Sequence, residues 1–300
     1  MEIIHLKHDK IDFLKYDYCI ENSSQGTVYA MSWYLNVVSP GWDVLMADNY
    51  SYVMPIPLKK KCFFKYIVQP MFCQQLGVFS LKLLTADILR LFIRNIPYRY
   101  YNLQFNTGNI FDNIEKYMKR NYTLNLNESN INIKIKYSNN CFRNLKKAKK
   151  ECFIIHRQMS KDVYLKMIVD NGGNRPIKHF ISLWSSLITQ MEKNAKIEIW
   201  GVSDIEQNLF SCSLFLQWKN KFYYLVPIST IAGKQKQSMS FLLDSFIQEY
   251  AQTNSVLDFE GSSIPGIARF YEGFGPEQSF YPQLIKDCLI MKIYAFFLKH

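Results

Sequence analysis

Three stretches of the sequence carry residue types able to do chemistry. The first is Ser138-Asn-Asn-Cys-Phe-Arg143-Asn-Leu-Lys-Lys147-Ala-Lys-Lys150, in which five cations fall within eight residues. Its apolar positions Phe142, Leu145, Ala148 and Cys152 recur at helical spacing, which leaves Arg143, Lys146, Lys147, Lys149 and Lys150 toward solvent or a ligand. Such a face attracts phosphates, and the Arg143 guanidinium can hold an oxyanion bidentately. The other reading is a helix with a solvated, lysine-rich exterior. The second stretch, Leu257-Asp258-Phe259-Glu260, alternates so that the carboxylates of Asp258 and Glu260 share one face of a strand. A carboxylate so placed is a candidate proton acceptor, against a structural reading in which Glu260 caps the following turn or pairs with Arg269. The third, Ser229-Thr-Ile-Ala-Gly233-Lys234-Gln-Lys236-Gln-Ser238-Met-Ser240, sets two lysines before a helix start, a combination suited to anions.

Other chemistries find no support. His5, His8, His156, His179 and His300 stand in no metal-ligand spacing, and no metal is expected. The seven cysteines contain no CxxC pair and read as reduced thiols. No Walker loop, kinase signature or Gly-x-Ser-x-Gly elbow occurs. Met1 to Lys10 is polar, without the apolar core of a signal peptide, so the expected compartment is the cytoplasm. The apolar tail Cys288 to Leu298 reads as a terminal strand, with peripheral membrane contact as the alternative.

The elements that must position these residues follow from period. Helices are predicted near 10–21, 28–38, 84–96, 110–120, 138–151, 160–170, 176–193, 239–252 and 265–273, with strand-like runs between them. The 300 residues suit two domains, 48% are hydrophobic and 16% aromatic, and 36 basic against 25 acidic residues give a net charge of +11. Polyanionic partners fit that charge.

Sliding the chain by 154 residues superposes one helix and the strand after it: Ile88, Leu89, Phe92, Ile93 and Ile96 on Leu242, Leu243, Phe246, Ile247 and Tyr250, then Leu103 and Phe105 on Leu257 and Phe259. Strand-turn-strand stretches, Trp42 to Gln69 and Ile197 to Pro227, precede both copies. Two tandem copies of one fold are expected, joined near residues 108–135. A meander feeding a helix and then a parallel strand leaves a gap where a helix N-terminus meets a strand end, a geometry that accepts pyrophosphate.

With these motifs and the repeat in view, the second half resembles an acyl-CoA N-acyltransferase (GNAT) domain. The tandem arrangement is similar to the FemABX family of peptidoglycan aminoacyltransferases. The segment from Ser138 to Lys150 resembles the family's Arg-Asn pair on a basic helix, and Glu260-Gly-Ser262 through Arg269, Tyr271 and Phe274-Gly275 resembles the closing turn and helix. The resemblance implies an α/β (α+β) fold of two GNAT-like domains, residues 1–120 and 121–300, each a mixed, mainly antiparallel sheet flanked by helices. It implies transfer of an acyl group from an activated donor, acyl-CoA or aminoacyl-tRNA, to an amine acceptor such as a cell-wall precursor. In that frame Glu260 is the base and the backbone near Pro227 to Ser229 holds the oxyanion, with Ser229 at the catalytic position. Gly233, Lys234, Lys236, Ser238 and Ser240 hold the donor, while Arg143, Lys147, Gln74, Gln75, Ser262, Arg269 and Tyr271 hold substrate.

The chain departs from the pattern at the donor loop, where Gln235-x-x-Ser238-x-Ser240 lacks both glycines of the GNAT cradle. It also has no heptad run long enough for the coiled-coil arm with which FemABX enzymes contact tRNA. The alternative from another class is a non-catalytic, degenerate GNAT-like module that binds RNA or an anionic glycolipid.

Overall fold

The computed structural model describes residues 1–61, 64–112, 116–173, 176–262 and 264–286. The chain divides into two compact units, one of residues 1–119 with the C-terminal segment from Phe280, the other Arg120–Ser279. The expected division at 120/121 left residues 280–286 in the second domain, whereas they pair inside the first. The tail from residue 287 lies outside the described residues, so the strand and membrane readings of Cys288 to Leu298 are not addressed.

In chain order the first unit contains β1 (Ile4–Leu6), α1 (Phe13–Asn22), α2 (Ser32–Val38), β2 (Asp43–Ala47), β3 (Tyr52–Ile56), β4 (Leu58–Lys61), β5 (Phe64–Val68), β6 (Phe79–Ser80), α3 (Ala86–Arg94) and β7 (Tyr101–Gln104). The chain continues with β8 (Tyr117–Asn125), α4 (Asn130–Ile135), α5 (Asn139–Ala148), β9 (Ile154–His156), α6 (Lys161–Asn171), α7 (Ile181–Asn194), β10 (Lys196–Ser203), β11 (Leu209–Trp218) and β12 (Lys221–Ser229). It ends with α8 (Ile231–Gln235), α9 (Ser238–Tyr250), β13 (Val256–Asp258), α10 (Pro265–Glu272) and β14 (Glu277–Lys286). Where a helix was expected over 110–120, the described residues from Tyr117 onward form β8, whose buried Tyr122 and Leu124 recur at the two-residue strand period.

The first unit holds one run in the order β1-β2-β3-β6 and another in the order β4-β5-β7-β14. β5 pairs parallel with β7 at Ile67↔Tyr101, and β14 pairs antiparallel with β7 at Gln283↔Gln104. The second unit runs β8-β13-β12-β11-β10-β9. There β12 pairs parallel with β13 at Phe222↔Leu257, and β8 pairs antiparallel with β13. The 154-residue repeat is therefore architectural: strand, helix and parallel strand, flanked by antiparallel partners, recur in each unit.

In the second unit α9 packs on β10, β11 and β12, and α5 packs on α9. Leu242, Leu243, Phe246 and Ile247 of α9 are fully buried. Phe246 stacks on Phe215 with ring centroids 3.6 Å apart and meets Trp200 and Phe222 edge-on, each at 5.2 Å. Since side chains alternate along a strand, Trp200, Phe215, Phe222 and Tyr224 serve this layer, while α6 and α7 pack on β10, β11 and β12 on the other side. Five aromatic rings are thus buried at one helix–sheet contact.

Candidate functional site

The site lies wholly in the second unit. β12 enters it as a regular strand, but its register against β11 slips between the pairs Cys212↔Ile228 and Leu214↔Leu225. The extra residue is accommodated at Val226-Pro227, with Val226 at φ +46°, a left-handed conformation unfavourable for a β-branched side chain. Such a conformation costs on the order of 1–3 kcal/mol and persists where the surroundings over-determine it. Here they do: the buried Tyr164 hydroxyl sits 2.9 Å from the Val226 carbonyl and 3.3 Å from that of Leu225, which also accepts from Ser213 Oγ at 3.1 Å.

Beyond the bulge, β12 ends at Ser229, and Thr230 caps α8 by accepting the Gly233 amide at 2.9 Å. Gly233 is buried against β11, and a Cβ there would lie 2.3 Å from the Phe210 carbonyl oxygen, so only glycine fits. Gln237 then turns through φ +61° into α9, whose N-terminal amides and dipole favour negative charge.

A cavity of about 440 Å³ opens between these parts and α10. The end of β12 supplies Tyr224, Pro227 and Ser229; the α8–α9 segment supplies Gly233, Lys234, Gln237, Met239 and Ser240; α10 supplies Gly266, Ile267, Phe270 and Tyr271. Its size suits a small ligand or the reacting end of a large one, and its mostly apolar wall with few polar groups is typical of ligand sites. Tyr224 and Tyr271 are held by Phe259, whose ring lies 6.3 Å and 5.3 Å from theirs. A small crevice lined by Asn140, Cys141 and Asn144 of α5, Arg269, Phe270, Gly273 and Phe274 shares Ser240 and Phe270 with the cavity.

The residues singled out in the sequence fall into three groups. Ser229, Gly233, Lys234, Ser240 and Tyr271 line the cavity, with Lys234 exposed. Ser229 Oγ accepts from fully buried Ser211 at 2.7 Å, and Ser211 lies 2.5 Å from Ser238 Oγ, so three hydroxyls form a chain ending at the cavity wall.

Others flank it. Ser238 was expected to hold the donor, but its hydroxyl points inward to Ser211 and donates to the Gly233 carbonyl at 3.1 Å. Lys236 pairs with Glu151 at 2.9 Å. Ser262 Oγ accepts from the Ile264 amide at 3.0 Å, shaping the entry to α10, and Arg269 lines the crevice. Arg143 and Lys147 are exposed on α5, Arg143 donating to Asn140 Oδ1 at 3.2 Å. The α5 start behaves as its sequence requires, Ser138 capping it by accepting the Cys141 amide at 3.2 Å.

Gln74 and Gln75 belong to the first unit. Both are buried; Gln75 Nε2 donates to Gln74 Oε1 at 2.7 Å while its own oxygen accepts the Thr107 amide at 3.2 Å. These side chains bond to one another and to the backbone of the first unit.

Glu260 follows β13 at the turn beyond Phe259. Asp258, which was expected to share its open face, is buried instead and accepts from Asn121, Lys221 and the Glu260 amide at 3.2, 3.3 and 2.9 Å. Glu260 and Gly261 are both left-handed, at φ +66° and +61°. A Cβ on Gly261 would lie 2.0 Å from the Arg120 carbonyl oxygen, so the turn requires glycine. The Glu260 residue as a whole is half-buried, but its Oε1 is out of solvent, and burial pushes the carboxyl up to about 8.

The sequence reading missed the bulge and, of the cavity's aromatic wall, Tyr224 and Phe270. Pro227 is the signal for the first, because proline inside a central strand marks a bulge. The wall as a whole gives no local signal, since Tyr224 of β12 lies more than 40 residues from Phe270 and Tyr271 of α10.

Among the described residues no group of three His, Cys, Asp or Glu side chains could hold a metal ion, and no helix is long and apolar enough to cross a membrane. No family model matches the chain, and no curated protein matches it in sequence. Solved structures do match in fold. FemX superposes with a TM-score of 0.62 over 99% of both chains at 12% identity. A tandem GNAT protein from the clavulanic acid biosynthesis pathway gives 0.54 over 96% of this chain and 99% of that one, at 9% identity. The C-terminal DUF2156 domain of a protein described as a lysylphosphatidylglycerol synthetase from Agrobacterium fabrum gives 0.54 over 95% of both, at 8% identity. The chain shares the tandem GNAT-like fold of these structures.

Proposed function

We propose that this protein is an acyltransferase that moves an acyl or aminoacyl group from a phosphate-bearing thioester or ester to an amine. The observation that carries the reading is the cavity bounded by the bulged end of β12, the start of α9 and α10. A transferase needs the activated carbonyl held beside an electropositive, partly dry surface, and this cavity combines a helix N-terminus, Lys234 and an apolar wall.

The donor belongs to one of two classes, acyl-CoA or aminoacyl-tRNA. One tandem neighbour is a GNAT protein described in a form without acetyl-CoA, and two more are FemX and a domain described as part of a lysylphosphatidylglycerol synthetase. The serine-for-glycine departure in the donor loop favours the aminoacyl ester, because it removes the bare backbone that cradles a pyrophosphate. The acceptor belongs to the class of primary amines, with cell-wall precursors as the first to try.

In the mechanism the neutral amine attacks the carbonyl, amides near the bulge meet the developing oxyanion, and the donor's sulfur or oxygen leaves. Glu260, which follows the Phe259 that backs the wall and is not itself on the cavity lining, takes the amine proton through a water relay. With its carboxyl at about 8, roughly a tenth is ionised at neutral pH, and turnover rises with pH up to that value. Ser229, at the end of its hydroxyl chain, presents a polar contact to the reacting group.

The test is Glu260→Gln. A transferase keeps donor affinity and loses turnover about 10²-fold or more. A non-catalytic module binding RNA or an anionic glycolipid shows the same binding in both proteins and turnover in neither.

A further inference from the structure

We propose that the face formed by α4 and α5 docks on an anionic lipid bilayer. Ile131 and Ile135 lie four residues apart on α4 and are 73% and 74% exposed. Phe142, near the start of α5 and 5.9 Å from the Tyr137 ring, is 44% exposed. Isolated apolar residues on a surface need no explanation, but here two aliphatic side chains share one face of α4 and an exposed aromatic ring follows seven residues later on the next helix.

Beside them α5 and the turn after it expose Arg143, Lys146, Lys147, Lys149 and Lys150. The neighbouring acidic groups are already engaged elsewhere: Glu151 with Lys236, Glu128 with Lys136 and Asp244 with Lys134, at 2.9, 2.5 and 3.3 Å. None of the five cations has a carboxylate within ion-pair distance among the described residues.

Charge alone fits any polyanion. The isoleucines decide between them, because an aliphatic side chain gains nothing from a phosphodiester chain but is buried where headgroups meet acyl chains. Cations at the same depth meet lipid phosphates. The partner is therefore a bilayer carrying phosphatidylglycerol-like headgroups, and the surface serves whichever donor fills the cavity.

The experiment is co-sedimentation of the full chain with vesicles of phosphatidylcholine containing about one third phosphatidylglycerol, and with pure phosphatidylcholine. Binding is expected to the anionic vesicles and at least about tenfold weaker to neutral ones. Lys146→Gln with Lys147→Gln lowers partition about 25-fold, at roughly fivefold per cation. Ile131→Ser with Ile135→Ser lowers it at least about tenfold while leaving poly(U) affinity unchanged. All four sites are exposed, and circular dichroism verifies each variant's fold. Equal partition to both vesicle types, no partition to either, or an isoleucine variant that still binds vesicles normally overturns the proposal; poly(U) binding without vesicle binding makes the face a nucleic-acid surface instead.

Discussion

Replacing Glu260 by glutamine should change how stability depends on pH, and the sign follows from the burial of its carboxyl. In the folded protein the group holds its proton to about pH 8, against an ordinary value of 4.5, because burial disfavours the charged form. Between those values the native state binds a proton that the unfolded chain has released, so stability falls as pH rises through the window. The proton's hold amounts to roughly 4–5 kcal/mol across the window, at about 1.4 kcal/mol per pH unit. Glutamine has nearly the same shape and does not titrate. Urea unfolding followed by tryptophan fluorescence should therefore give wild type and Glu260→Gln within about 1 kcal/mol at pH 5, with the variant more stable by several kcal/mol at pH 8.5. Other groups titrate in this range, but they are common to both proteins and cancel in the difference. Parallel profiles, or a variant weaker than wild type at pH 8.5, would refute the assignment of Glu260 as a buried, protonated carboxyl.

Gly261→Ala should lower stability by about 3 kcal/mol or more in the same assay, since it adds a Cβ 2.0 Å from a carbonyl oxygen at a left-handed residue. Asp43 accepts from Lys7, Tyr98 and His5 at 2.8, 2.8 and 2.9 Å; burial raises its carboxyl, but these hydrogen bonds outweigh that and hold it below the ordinary value near 3.8. Its contribution is thus present above that value and lost as pH falls through the lower folded one, so Asp43→Asn should weaken the protein by about 1–3 kcal/mol at pH 7 and flatten its acid limb in thermal melts. Ser211→Ala breaks the chain between Ser229 and Ser238 and should cost about 1–3 kcal/mol in urea unfolding.

What the sequence made legible was whatever repeats locally. The apolar stripe of α9 and its counterpart at 154 residues' offset mark elements that bury one face, and the structure builds the same strand-helix-strand unit around both. The copies differ in depth: in α3 only Leu89 and Phe92 are buried, against seven residues in α9, the apolar four Leu242, Leu243, Phe246 and Ile247 among them. Ser138 announced the start of α5 because a cap is a short-range hydrogen bond.

Long-range features were not legible. Residues 110–120 read as helix from their period, while the burial that defines β8 falls at Tyr122 and Leu124, beyond that window. Residues 280–286 return to pair with β7, a choice no local pattern encodes. At the site, Lys234 and Ser240 were found through their positions just before α9 and in its first turn. Ser238 was assigned outward because its inward partner, Ser211, lies 27 residues away. The glutamines were polar by type but buried by tertiary packing.

The central claim is that the cavity in the second unit holds the donor, and Gly266 gives a clean way to test it. It lines the cavity in α10, and a Cβ added there meets no atom within 4 Å, so Gly266→Trp can fill the space without displacing backbone. Calorimetric titration of wild type and Gly266→Trp with coenzyme A and with a stable aminoacyl-tRNA analogue is the most direct measurement. The account predicts that one of these donors binds wild type with one-to-one stoichiometry and that the folded Gly266→Trp protein loses that binding. Binding of neither donor to wild type, or undiminished binding to Gly266→Trp, would contradict it.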